Sequence, residues 1–529
     1  MKKLSNVFLM LMMAVLCIVG CKSNESEKKE SAKAENKSSE GDTKAPLAQI
    51  DDDIMLVAYL DCNSLVEKSG LTENQRKLLG SVIASDIEDA TMRKYVMSIF
   101  SDIDNSGIKF SKPLYATMSF DDTSYTPEFK AVVVAEVSNV NTLDKFAESA
   151  DAKFKREGDL RYATIKDENG DLTFGYNKNY FVAATAMNYN SYDLFKSTID
   201  SAKMDLSIFE GKDIGLYLNC SELMAAINPA LTNNEIVGEL QGEDIKCLAG
   251  LSFEAGRIVV DAKYSGGNDK IMQIYKTLDN DNLKYVSGDA MAFANISLDG
   301  KRLVEVAKEV LTTERERELA RELDMNYNGL VTTLQIAYDA VGSIDGAITL
   351  ALNDVEVKTV YEDDYKVADT RLYVDAQLMA NVSNTYIIEN VPMLGNMVNK
   401  VGPNKYSIPF GRNGINIGQT DNLLRVGIDA PCDNIPHTNM YDRWNSVFDN
   451  SIGYIVLDIE NMANSTIGKQ MIREIDYSDR RVVESIIKML DCLYMNCKST
   501  QSAELVLSFD DTKTNALEQI VTLILNAQN

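Results

Sequence analysis

The residues able to do chemistry are few, and their spacing excludes more than it permits. The 529-residue chain holds one histidine and eight cysteines. His437 is therefore the only imidazole that could activate a serine or cysteine nucleophile. It lies in Asp433-Asn434-Ile435-Pro436-His437-Thr438, a turn-rich connector that suits a surface or satisfied side chain better than a catalytic one. No Gly-x-Ser-x-Gly elbow is present. Gly266-Gly267 and Gly411 lack the surroundings of a phosphate cradle. Cys62, Cys220, Cys247, Cys432, Cys492 and Cys497 show no Cys-x-x-Cys spacing, so a structural zinc site lacks its usual ligands. Cys492 and Cys497 are five apart in a stretch predicted to be helical, a poor geometry for a bridge. Buried free thiols are expected, with room for one bridge.

Calcium comes nearest to a match. Asp102-Ile103-Asp104-Asn105-Ser106-Gly107 opens like an EF-hand loop, which makes Asp102, Asp104 and Ser106 weak metal candidates. The twelfth position should supply a bidentate Glu and holds Pro113 instead, so a helix C-terminal turn is the preferred reading. The acidic groups Asp51-Asp52-Asp53, Asp121-Asp122 and Glu362-Asp363-Asp364 lack ligand spacing and read as solvated loop ends. A carboxylate pair for glycoside hydrolysis stays open, because its approach is set by tertiary structure. Trp444 is the only tryptophan, sparse for stacking on sugars, and with Tyr441 and Phe448 at helical spacing it reads as core. No catalytic residue, cofactor or firm metal site is expected.

The N-terminus carries a clearer signal. Lys2 and Lys3 precede a short apolar run from Val7 to Val19, too short to span a bilayer as a mature helix, and Ile18-Val19-Gly20-Cys21 follows. These residues resemble the Leu/Ile/Val-x-Gly/Ala-Cys box of bacterial lipoproteins. The resemblance implies a signal peptide over residues 1–20, cleavage before Cys21, and lipid on that cysteine. Several acyl chains at ~0.8 kcal/mol per buried methylene give durable anchoring. Residues 22–46 are rich in Lys, Glu and Ser and poor in apolar side chains, so 21–46 reads as a lipidated cysteine and disordered tether with a reach of roughly 25–30 Å. No Asp follows Cys21. A cell-envelope location is expected, the outer membrane favoured, its face left open. A net charge of −26 argues against nucleic acid. The expected partners are the membrane, through lipid on Cys21, and another envelope protein.

The elements that would position any site follow a repeated pattern of apolar strand, polar turn and helix. It occurs at Ile54–Leu65, Ile214–Leu223, Met291–Leu303 and Ile452–Met462, with Asp, Asn or Ser placed to accept from the first amides of the helix. Leu65-Val66-Glu67 recurs as Leu303-Val304-Glu305, and Ile214-Gly215 recurs as Ile452-Gly453, each 238 residues on. Cys62 and Cys220 hold the same place in the pattern, which favours packing over reactivity. The spacing predicts an α+β fold: a tandem duplication of mixed modules with antiparallel sheets covered by helices, the halves spanning 47–285 and 286–529. Leu65-Val66-Glu67-Lys68-Ser69-Gly70-Leu71, the lipobox and the paired halves are similar to a family of Bacteroidota lipoproteins of unknown function. That likeness implies an envelope location and brings no catalytic residues. The expected function is a non-catalytic binding or assembly module on a lipid anchor. The alternatives are a nutrient-binding lipoprotein for glycans or small ligands, and a carboxylate-dependent hydrolase.

Overall fold

A computed structural model describes residues 54–527 except 86, 88–89, 102, 122–127, 150–152, 167–170, 202–205, 221–244, 363–366, 411–413 and 430–437. The chain divides into two compact units. The first comprises residues 1–233, 244–266 and 511–529, and the second 234–243 and 267–510.

The strands of the first unit are β1 (Ile54–Leu60), β2 (Leu114–Asp121), β3 (Glu128–Glu136), β4 (Lys155–Glu157), β5 (Leu160–Ile165), β6 (Asp171–Tyr176), β7 (Tyr180–Met187), β8 (Ile214–Asn219), β9 (Lys246–Glu254) and β10 (Arg257–Ser265). They pair antiparallel in the order β4-β5-β6-β7-β3-β2-β1-β8-β9-β10. Central strands such as β1, Ile-Met-Leu-Val-Ala-Tyr-Leu, are apolar on both faces, as a strand covered on both sides requires. One face buries Val57, Tyr59, Phe209 and Tyr217. The C-terminal helix Ala516–Ala527 also belongs to this unit, placing Leu517, Val521 and Leu525 against Cys62, Leu65 and Phe253.

The second unit contains β11 (Ala292–Asp299), β12 (Ile344–Glu362), β13 (Val367–Val382), β14 (Asn399–Gly402), β15 (Lys405–Ile408), β16 (Ile415–Thr420), β17 (Leu423–Ile428), β18 (Gly453–Asp458), β19 (Leu490–Ser499) and β20 (Ser502–Phe509). Their antiparallel order is β14-β15-β16-β17-β13-β12-β11-β18-β19-β20. The core rests on one sheet face, where Phe293, Ala347, Ala351, Met379, Tyr454 and Val456 meet Trp444, the last residue of the helix Thr438–Trp444, and Phe448 just beyond it. The Trp444 and Phe448 rings stack at 5.4 Å, and Phe448 stacks on Tyr454 at 3.8 Å. Trp444 and Phe448 are thus core, with Tyr441 packed beside them.

The expected fold class is corrected by this architecture. A helix-covered α+β duplication does not describe it; the described residues are sheet-rich, with ten antiparallel strands in each unit. Strand runs further than the sequence pattern suggested. β12 and β13 form one hairpin of 19- and 16-residue strands. The Cys492–Cys497 stretch, expected as helix, is the inner strand β19, flanked by β18 and β20. An inner strand apolar on both faces loses the alternation that would distinguish it from a buried helix. The two cysteines, five apart on a strand, point to opposite faces.

Local capping follows the expected chemistry. Asp61, just after β1, and Asp299 and Asp458, which end β11 and β18, each accept the backbone N–H three residues on, from Ser64 at 3.0 Å, Arg302 at 3.1 Å and Asn461 at 2.8 Å.

Candidate functional site

Ionisable groups converge in two main polar clusters, around Asp213 and around Arg443. Asp213, buried at the start of β8, accepts from both sides of its carboxylate. Lys68 Nζ lies 2.7 Å from each oxygen, the Ser64 hydroxyl donates to Oδ1, and Phe253 N–H donates to Oδ2 at 2.6 Å. Ser64 and Lys68 lie one turn apart on the helix Cys62–Lys68, the spacing of a nucleophile and its base. The lysine is ion-paired to the buried carboxylate, however, and the Ser64 hydroxyl donates to that carboxylate rather than to the amine, so no nucleophile–base pair is formed. This cluster ties helix to strand.

The second cluster is centred on Arg443, which donates to Asp458 at 2.8 Å and to Asp491 at 2.8 Å. Beside it, burial first and then the Asp491 charge push the Cys492 thiol up to about 12, which favours the protonated form. Lys276 joins Asp299 and Asp345 in the same way. In these two places the converging carboxylates are bridged by a cation, which removes the free acid–base pair that glycoside hydrolysis needs.

The feature without such an internal explanation is apolar. On the face of the second unit's sheet opposite Phe293 and Tyr454, the register aligns aliphatic residues strand after strand. One row runs Leu505, Met495, Ile455, Ala294, Leu350, Leu378, Val426, Ile417. The next runs Leu507, Leu493, Leu457, Ala292, Leu352, Ala376, Ile428, Ile415. Neither row contains a side-chain hydrogen-bond donor or acceptor stronger than a thioether.

At one side this face is covered. Ala380, Leu424 and Tyr406 are buried against Ile388 and Val391, from the segment Tyr386–Met397. In the middle it is open: Leu350 is 50% exposed, Ile455 46%, Leu505 41%, and Leu378 and Ile296 37% each. Their neighbours on the opposite face, Ala347, Ala351 and Val456, are fully buried. The helices Gly300–Val310 and Tyr327–Gly342 touch β12, and Ile459–Asn464 and Tyr477–Met489 touch β19. These helices themselves leave Ile336, Met462 and Val482 exposed. The helix Thr466–Glu474 also packs against β12, yet the aliphatic side chains in the middle of the face stay part-exposed. Completing the burial of a half-exposed Leu or Ile is worth about 1 kcal/mol, half of its full transfer value.

The residues singled out in the sequence do not gather here. Cys21 and the box Ile18, Val19, Gly20 lie outside the described residues, as do His437 and Asp102. The Asp104 side chain is likewise outside them, while Ser106 is buried and its hydroxyl accepts from Ile108 N–H at 3.0 Å. The segment Ile103–Ser106 is a 3-10 turn closed by Gly107 at φ 77°, the left-handed position that ends a helix. Among the described residues no group of three or more His, Cys, Asp or Glu side chains could hold a metal ion, and no helix is long and apolar enough to cross a membrane.

Fold and site together define a sheet-rich protein with an open aliphatic face and no assembled catalytic centre among the described residues. The chain belongs to the family described as a domain of unknown function, DUF4836, whose profile matches residues 49–371. No curated protein matches it. A solved structure described as "Structure of crystal form III of TP0453" aligns with 42% of this chain and 84% of its own at 11% identity, and its TM-score of 0.23 is too low to bear on the fold.

Proposed function

We propose that this protein is a lipid-anchored cell-envelope protein, held through Cys21, that acts by binding rather than catalysis, and that the open sheet face of its second unit takes the acyl chain of a lipid. The single observation that carries the reading is the half-exposure of Leu350, Leu378, Ile455 and Leu505 on an aliphatic face whose reverse side is sealed. A glycan would bring hydroxyls that find no partner along these rows, at a cost of about 1–3 kcal/mol for each one left unsatisfied. A hydrocarbon chain needs only area, and a row crossing eight strands at ~4.8 Å each offers a long strip of it. The lipobox resemblance supports the anchor. An exported, membrane-tethered chain would meet acyl chains as its commonest apolar ligand.

The test is thermal unfolding of the mature chain with and without palmitate, together with mass spectrometry of lipids that co-purify from envelope membranes. A concentration-dependent rise in Tm in the wild type, lost in Leu350→Asp, is the expected result. Absence of any acyl-dependent shift, with a protein captured by a photocrosslinker placed at position 350, would replace this reading with that of an assembly module. Globomycin-sensitive processing and radiolabelled palmitate on Cys21, both lost in Cys21→Ser, test the anchor separately.

A further inference from the structure

In the first unit, β8 and β9 pair with Asn219 opposite Lys246 and Leu218 opposite Cys247. Cys220 N–H donates to Ile245 O at 2.8 Å, so the ladder continues one residue beyond β8. Cys220 is therefore opposite Ile245 and is the diagonal neighbour of Cys247 on the same sheet face. Diagonal neighbours lie about 7–8 Å apart at Cα, with Cβ atoms closer, and a disulfide closes over Cα separations up to ~6.8 Å. Closing the bond therefore requires a backbone movement of about 1 Å, which falls at Cys220, the last residue paired along this side of the ladder. Both thiols are free and half-buried.

The other free cysteines have no such arrangement. Cys62 and Cys492 are fully buried. Cys497 is opposite Gly453 on one side and Ala503 on the other. Among the described residues, only Cys220 and Cys247 stand as diagonal neighbours on one face of adjacent strands.

We propose that Cys220 and Cys247 form a dithiol modification site that is converted to a cross-strand disulfide by disulfide oxidants. In the first step one protein thiolate attacks a sulfur of a small disulfide such as oxidised glutathione. This forms a mixed disulfide and releases one glutathione thiolate. The second protein thiolate then attacks the mixed disulfide at the protein sulfur and releases the second glutathione. The protein loses two electrons and two protons, and the reagent gains both. Burial pushes the Cys247 thiol up to about 11, with Cys220 beside it adding to the shift, while Cys220 is raised by burial alone. Both thiols are raised, so the exchange speeds up as pH rises and does not depend on which sulfur attacks first. The bond would close the interval 221–246 into a covalent loop and restrict the unfolded chain.

The experiment uses the full chain, incubated with oxidised glutathione or with dithiothreitol, then alkylated, digested and mapped by mass spectrometry. The expected result is a Cys220–Cys247 linked peptide after oxidation and two alkylated thiols after reduction. Cys497→Ser retains the linkage. Cys247→Ser leaves Cys220 as a stable glutathione adduct, because nothing resolves it. Recovery of both thiols alkylated after oxidation, with circular dichroism unchanged, overturns the proposal, as does a bridge from either cysteine to a different partner. Cys220→Ala serves as a second variant, should Cys247→Ser fail to fold, and must likewise abolish the linked peptide.

Discussion

Lys68 Nζ stands 2.7 Å from both carboxylate oxygens of Asp213, a residue 145 positions away whose side chain is 1% exposed. The pair fixes the helix Cys62–Lys68 to the start of β8, and Asp213 also holds Ser64 and the Phe253 amide. Removing one partner of such a pair leaves the other charge buried without compensation, which costs about 3–5 kcal/mol. Lys68→Met is expected near the lower end of that range, because Lys68 keeps some contact with water. Urea denaturation of each single variant and of the double variant Lys68→Met/Asp213→Asn checks this. The double variant should be less destabilised than the sum, since the two losses share one interaction.

Tyr454 makes a second long-range polar tie, this time inside the aromatic core. Its hydroxyl accepts from Asn295 Nδ2 at 3.1 Å and donates to Asn280 Oδ1 at 3.2 Å, with Thr349 donating to Asn295 Oδ1 at 3.1 Å. All of these side chains are buried. Tyr454→Phe keeps the ring stacking on Phe448 and orphans two amide groups, so it should cost about 2 kcal/mol. The same measurement on Tyr454→Leu separates the hydroxyl from the ring, and a loss confined to the leucine variant would show the hydrogen bonds contribute nothing.

Asp299 gives the clearest pH dependence. The Arg302 N–H, with Lys276 nearby, holds its carboxyl below the usual 3.8, and partial burial pulls the other way. A depressed carboxyl contributes stability that is complete above the unfolded pKa and is lost as pH falls through the folded one. Stability of the wild type should therefore decline as pH drops below about 4, in part through this group. Asp299→Asn keeps a capping oxygen and abolishes the titration, so its urea midpoint should fall less steeply between pH 4 and pH 2. Asp299→Ala should lose about 1 kcal/mol at neutral pH through the cap itself.

How much of this was readable in the sequence depends on how local each feature is. Asp61, Asp299 and Asp458 were legible as caps because the acceptor and its amide are three residues apart. Trp444, Tyr441 and Phe448 were legible as core from helical spacing and aromatic character. The strand identity of Leu490–Ser499 was not, because apolar residues on both faces erase the alternation on which such a reading relies. The open face was invisible for a different reason. Leu350 sits between the buried Thr349 and Ala351, and no sequence pattern tells a leucine under a tight helix from one under a helix that stands away. The neighbourhood of Cys220 and Cys247 depends on the β8–β9 register, which spans 26 intervening residues, 221 to 246.

That open face makes a prediction about stability as well as binding. Leu350 and Phe293 are both apolar and lie on neighbouring strands, but they face opposite sides of the sheet. Phe293 is 2% exposed and packs against Trp444 and Tyr454, so Phe293→Ala should cost about 3–5 kcal/mol through lost transfer energy and a cavity. Leu350 is half-exposed already, so Leu350→Asp should cost only about 1 kcal/mol, mainly the part of the leucine that is covered. Leu378, directly opposite Leu350, should behave in the same way. If the face is the binding surface, Leu350→Asp and Leu378→Asp lose the acyl-dependent rise in Tm while keeping near-native unfolding in its absence. If helices close over the face in solution, both variants will instead lose several kcal/mol in the ligand-free protein, as core substitutions do. Urea unfolding of the four proteins, wild type included, with and without palmitate, distinguishes a site built for an apolar ligand from a core left slack.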